Sequence, residues 1–247
     1  MRIRVIACEV LCREISNAAS LSPHQVDVQF LEKGLHDYGA AAMRKELQFH
    51  IDATDPVKYD AVAMGYALCG NGLHGLRAAR LPLVAPRAHD CIALLMGGRQ
   101  RYEEYFNANP GTYFRSTGWI ERGKTLVPLA QVKLGLGMEL QKLVDKYGED
   151  NGTYLFTELN KYQESYRRMV YIQTGLEADG RFENEAKAEA DKCGWDYSTL
   201  PGDLRLIRML VNGEWDPKDF LVVQPGQRIV ARYDADIIRA ERGEESE

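Results

Sequence analysis

The stretch Asp60-Ala61-Val62-Ala63-Met64-Gly65-Tyr66-Ala67-Leu68-Cys69-Gly70-Asn71-Gly72 decides the fold. Up to Leu68 it is almost continuously apolar and lacks the polar alternation of a sheet with one wet face. This predicts a strand over 60–68 that is covered on both sides. The strand then breaks at a Cys-Gly-Asn-Gly run that turns the chain. Working outward, 3–8, 26–31 and 82–86 also read as strands, the second with Val26, Val28 and Phe30 on one face. Helical spacing joins Val10, Leu11 and Ile15; then Met43, Leu47 and Ile51; then Ile92, Leu95, Met96 and Tyr102. Strands alternating with helices over short connections predict an α/β fold, with a mostly parallel, Rossmann-like sheet flanked by helices.

The second half is less regular. Segments 115–121, 169–174 and 220–224 read as strands, the last ended by Pro225-Gly226, and 129–147, 154–166, 182–193 and 204–211 as helices. No Pro-, Gly- or Ser-rich linker divides the halves. The expectation is one two-lobed domain over 1–247: a Cys/His-bearing lobe at 1–114, a second, less regular α/β lobe at 115–240, and a charged tail at 241–247. The run from Arg239 to Glu247 has no apolar anchor and is expected to be a solvated end.

With 247 residues, 45% hydrophobic and 27% charged, the chain can bury a sizeable core, which excludes a disordered protein. No apolar run approaches the roughly 18 residues of a membrane span. The apolar start at Ile3–Cys8 breaks at Glu9, short of the roughly 7–15 residues of a signal-peptide core, so a cytoplasmic location is expected. A net charge of −5 without a basic run excludes nucleic acid as a general partner. An odd count of five cysteines in a reducing compartment is no disulfide framework.

In open parallel sheets, ligands bind outside the carboxyl ends of the strands. Cys8 ends the first predicted strand, Cys69 ends the third, and Cys91 follows the fourth in Pro86-Arg87-Ala88-His89-Asp90-Cys91. If these strands are neighbours, the three thiols converge on one edge. With His89 they form a Cys₃His set suited to tetrahedral zinc. Alone they suit a four-iron cluster with one open iron. A metal-free alternative starts a helix at Cys91 with Asp90 as its N-cap, so that the helix dipole lowers the thiol pKa and Cys91 acts as nucleophile. The plainer alternative is that the cysteines are buried as small hydrophobes.

Around this edge, Gly70, Asn71 and Gly72 allow backbone to approach a cofactor closely, although they form neither a P-loop nor a dinucleotide fingerprint. His36 is a fourth ligand or a general acid/base, His74 stands near Cys69, and Glu9 is placed to orient a ligand. Arg87 or Arg99 suits an anionic substrate. Cys12 fits a core position, Cys193 lies far along the chain, and the aromatics Tyr102 to Trp119 read as packing.

The segments Gly65–Gly72, Pro86–Ile92 and Pro110–Phe114 together resemble the domain-of-unknown-function family numbered 1638. The likeness runs from Val5-Ile6-Ala7-Cys8-Glu9 through Trp119-Ile120, and more loosely to Pro225-Gly226. Its matching positions here are Cys8, Cys69, His89, Asp90 and Cys91. The family has no settled activity. Its members are often encoded beside corrinoid proteins, corrinoid-dependent methyltransferases and folate-linked methyl transfer enzymes, which implies a setting in one-carbon metabolism.

The spacing His89-x-Cys91 is also similar to the start of the zinc motif of thiol methyltransferases that work with methyl-corrinoids, with the further cysteines upstream instead of downstream. The leading expectation is a thiolate metal site, zinc or iron–sulfur, serving corrinoid- or folate-linked methyl transfer on a small-molecule substrate. Corrinoid would enter only through a partner protein. The chain is then a metal-dependent methyltransferase or a non-enzymatic accessory of such a system. The metal-free thiol enzyme, with Cys91 as nucleophile and His89 or His36 as base, is the remaining catalytic alternative.

Overall fold

A computed structural model describes residues 1–36, 38–123, 144–145, 148–153, 166–232, 234 and 236–242. The first half runs β1 (Arg2–Cys8), α1 (Cys12–Leu21), β2 (Gln25–Leu31), α2 (Ala40–Asp52), β3 (Ala61–Gly65), β4 (Leu83–Pro86), α3 (Cys91–Leu95) and α4 (Arg99–Ala108). It continues with β5 (Thr112–Ser116), α5 (Thr117–Glu121), β6 (Arg168–Gln173), α6 (Arg181–Cys193), β7 (Asp196–Pro201), α7 (Arg205–Val211), β8 (Phe220–Val223), β9 (Gln227–Ala231) and β10 (Ile238–Arg242).

The fold is mixed α/β, built on a mostly parallel sheet of five strands in the order β2-β1-β3-β4-β8. β1 pairs in parallel with both β2 and β3, β3 pairs in parallel with β4, and β8 closes the edge antiparallel to β4. Successive side chains of a strand point to opposite faces, and here both faces are covered. Ile3, Val5 and Ala7 meet α1, α3 and α7, whereas Ile6, Val62 and Met64 meet Met43, Leu47 and Ile51 of α2 and the β9–β10 hairpin. That double burial is why β3 reads as an unbroken apolar run. The chain leaves β1 for β2 on one side and returns to β3 on the other, so the strand order reverses at the carboxyl ends of β1 and β3.

A second parallel sheet, β5-β6-β7, has α6 on one face, where Ala186 and Ala190 pack on Met169 and Tyr171. Ile172 points the other way, into the cluster that holds α1 and α3. The bidentate Arg13–Glu121 pair, at 2.9 and 3.0 Å, ties α1 to α5. The chain crosses the expected division at 114/115 in both directions: Thr112–Phe114 belongs to the second sheet, and β8 returns to the first.

Three expectations change. The strand expected at 115–121 is the end of β5 followed by α5, because Gly118 must sit against the carbonyl of Val10, where an added Cβ would lie 1.7 Å from that oxygen. β3 ends at Gly65, so Cys69 lies four residues past the strand, in the loop. The expected solvated end begins instead with β10, paired antiparallel with β9 through Arg242. β7 and the β9–β10 hairpin were not expected at all. Of the helices expected at 129–147 and 154–166, all but 144–145 and 166 lie outside the described residues, as do 243–247.

The close approach at Gly118 is therefore a structural requirement. Gly118→Ala should lower stability by about 2 kcal/mol or more, since backbone rather than a flexible side chain must give way. The urea midpoint measures this.

Candidate functional site

The parallel pairing brings the carboxyl ends of β1, β3 and β4 to one edge. Cys8 ends β1, Cys69 stands in the loop after β3, and Cys91 opens α3 after β4. The two loops are stitched together: Leu68 and Cys69 donate their N–H groups to the carbonyls of Ala88 and His89, both at 2.9 Å. Asp90 caps α3 as expected, its Oδ1 accepting from the N–H groups of Ile92 (3.0 Å) and Ala93 (3.1 Å).

Backbone N–H groups are directed at the sulfurs, from Val10 at Cys8 and from Ala67 and Cys91 at Cys69. Trp119 Nε1–H donates to Cys91 Sγ at 3.3 Å. Lys33 lies over the Trp119 ring, 4.9 Å from its centroid.

The thiols lie within electrostatic reach: Cys69 feels Cys8, and Cys91 feels both. Burial pushes the Cys8 thiol up to about 11 and the Cys69 thiol up to about 12, where the charge of Cys8 adds to the effect of burial. Cys91, 8% exposed, is pushed well above the usual thiol value by burial, then by Cys69, Asp90 and Cys8. The expected lowering of the Cys91 pKa by a helix N-terminus is thus overturned. α3 is a single five-residue turn, and removing the sulfur from water outweighs its dipole. Without a compensating cation these thiols are neutral at pH 7 and poor nucleophiles.

The loop after β3 is left-handed over three successive residues: Cys69 (φ 46°), Gly70 (φ 63°) and Asn71 (φ 72°). Only the glycine takes this backbone freely; a Cβ there costs about 1 kcal/mol. Gly72 is buried against Met43 of α2, which leaves Gly70 and Asn71 exposed.

Tyr66, 4% exposed, carries a buried hydroxyl with no hydrogen-bond partner among the described residues. The charges that act on it are those of Cys8, Cys69 and Glu9, which, after burial, raise its pKa.

Several expected site residues have other tasks. Glu9 accepts the Lys33 N–H at 2.9 Å and so fixes the turn after β2. Arg87 donates to the carbonyls of Pro217 and Asp236, each at 2.9 Å, and to that of Ile238, which pins the hairpin and leaves it unavailable to a substrate. His74 accepts the Ala231 N–H at 3.1 Å. His89 has an exposed ring in the wall of a cleft, and its carbonyl rather than its ring meets Cys69. The His36 side chain lies outside the described residues. Among the described residues, no group of three or more His, Cys, Asp and Glu donors stands in place to hold a metal ion.

Trp119 and Tyr66 were missed as site residues. Tyr66 sits three residues before Cys69, but an apolar strand offers no reason to single it out. Trp119 reaches Cys91 only because α5 folds back on Val10.

The fold and site thus define an α/β protein with a buried thiol group at the carboxyl edge of its parallel sheet. The family model described as a protein of unknown function, DUF1638, matches residues 30–211, and the chain belongs to that family. No curated protein matches the chain. No described helix is long and apolar enough to cross a membrane.

Two expected outcomes follow from this geometry. Replacing Cys69 by Gly should leave the protein about 1 kcal/mol more stable than replacing it by Ala, because both remove the thiol and only Gly relieves the left-handed backbone. Equilibrium unfolding of the pair measures this. For the metal-free protein, folding raises the thiol pKa values, so the neutral thiols are the favoured form. That contribution is fully present below about pH 9 and is lost as pH rises through 11 to 12. The melting temperature should fall over that window, and less steeply in Cys8→Ser.

Proposed function

We propose that Cys8, Cys69 and Cys91 together hold a metal centre as thiolates, with one coordination position left open, at the edge of a Rossmann-like, two-lobed fold. The single observation that carries this reading is that three thiols at the carboxyl side of three neighbouring parallel strands come close enough for Cys69 to feel Cys8 and for Cys91 to feel both. Soft thiolates suit zinc or an iron–sulfur cluster. A bound cation would supply the positive charge that lets buried thiols release their protons. Because no donor group among the described residues already stands in coordinating position, loading requires the sulfurs to turn toward one another. Cys8 and Cys69, both only partly buried, have room to do so.

A bound metal would act as a Lewis acid or keep a substrate thiol ionised at neutral pH. The chain's own residues have defined parts. Trp119 donates a hydrogen bond to Cys91, Asp90 holds the turn that presents it, and Glu9 fixes the neighbouring loop. Gly70 and Asn71 form the exposed backbone beside Cys69. Corrinoid- or folate-linked methyl transfer in a reducing cytoplasm is the setting we propose, on the family resemblance alone. A corrinoid would reach the site on a partner protein, and the chain would serve as methyltransferase or as accessory to one.

The test is metal and sulfide content of protein purified without oxygen, beside Cys8→Ser, Cys69→Ser and Cys91→Ser. About one centre per chain is expected, colourless for zinc or brown for a cluster. Each variant should weaken it by at least about tenfold. Loss in only one variant, or no metal in the parent protein, rejects the shared site.

A further inference from the structure

Beside the thiol edge lies an open cleft of about 660 Å³, within the range of small-molecule sites. Its floor comes from the same left-handed loop, through Gly70 and Asn71, and its wall carries the exposed ring of His89. Two guanidinium groups reach it from separate elements, Arg99 at the start of α4 and Arg232 just after β9, and the carboxylates of Glu103 and Asp234 complete the charged lining. Leu68 is its apolar contact among the described residues. This is a lining for a polar, charged molecule.

Each guanidinium has a partner near it in sequence. Arg99 pairs with Glu103 at 3.6 Å, one helical turn away, and Arg232 pairs with Asp234, two residues on. All four side chains are between 32% and 48% exposed. Ion pairs this exposed are weak and screened by water, so either arginine can exchange its carboxylate for a ligand at small cost. An arginine that serves the fold looks different here. Arg115 is 5% exposed and held by Glu189, and Arg87 is spent on three carbonyls.

We infer that this cleft binds a small organic anion, gripped by Arg99 and Arg232 through a carboxylate or phosphate group, with the rest of the molecule running toward Cys69. Planar guanidinium forks match both anions in a bidentate manner. That the bound molecule is the substrate of the thiol edge rests on the metal reading above; the binding itself does not.

The test is calorimetric titration of the full-length, metal-free chain with inorganic phosphate and, separately, with malonate, at low salt. Saturable binding of one or both at millimolar concentration is expected, weakened about tenfold or more by Arg99→Gln and by Arg232→Gln. Glu103→Gln and Asp234→Asn should act in the opposite direction and tighten binding, because each removes a competing carboxylate. Binding of phosphate alone identifies a phosphorylated ligand, and binding of malonate alone a carboxylate. No saturable binding of either anion, or binding that neither arginine variant changes, overturns the proposal.

Cys91→Ser separates the two readings. It should weaken metal loading by at least about tenfold and leave anion binding intact. A chain that binds the anion and never holds metal disproves only the metal centre; one that loads metal and binds no anion disproves only the cleft.

Discussion

β1 is hydrogen-bonded along both edges to parallel strands, β2 on one side and β3 on the other, and the rest of the molecule depends on that pairing. Parallel strands must all end on the same side, so register brings Cys8 and the loops that carry Cys69 and Cys91 to one edge, and the hydrogen bonds from Leu68 and Cys69 to Ala88 and His89 then fix the two loops to each other. The reversal of strand order between β1 and β3 opens the sheet edge where their loops part in opposite directions, which is where open α/β sheets take ligands. The glycines that let layers approach serve the same end. At Gly65 an added Cβ would lie 2.5 Å from Ala7 Cβ, and at Gly118 the chain folds α5 over the start of the first helical turn. Sheet pairing and close packing together place Trp119 on Cys91.

Burial and charge pull against each other at this edge. The dipole of one short helical turn and a few directed N–H groups favour thiolates, and desolvation favours thiols. Desolvation wins at all three sulfurs. A nucleophilic cysteine working without metal needs the opposite balance, with cation or helix dipole outweighing burial. The local electrostatics therefore weigh against the metal-free thiol enzyme; a metal centre of the kind proposed above would reverse the balance by its own charge.

The doubly covered sheet was legible because its strands carry unbroken apolar runs, and α1, α2, α6 and α7 were legible from their spacing. The thiol edge was legible because strand ends are visible in sequence and parallel order does the rest. What stayed hidden depends on tertiary context. Segment 115–121 has strand composition, and only the approach of Gly118 to Val10 turns it into a helix. The β9–β10 hairpin is largely polar in sequence, with Ile229 and Ile238 supplying its few buried contacts to the cluster around α2. Arg232 could not be linked to Arg99 from 133 residues away. Arg87 looked as suitable for an anion as Arg99, and only its three carbonyl partners distinguish them.

Two unfavourable features meet at the same edge. Cys69 holds left-handed backbone that its side chain disfavours, and Tyr66, three residues earlier, buries a hydroxyl without a partner among the described residues at a cost of about 1–3 kcal/mol. Other buried polar atoms lack partners, Glu14 Oε2 and Ser116 Oγ among them, at the end of the second sheet. Beside Tyr66, however, strained backbone, an orphan donor and the three thiols coincide at one sheet edge. A fold selected for stability alone would relieve these costs with Gly at 69 and Phe at 66, since neither change needs new packing. Under the reading proposed above, both features would have a use. A ligand at this edge supplies one, because it needs the sulfur that the left-handed turn presents and can accept the hydrogen bond that Tyr66 has to give.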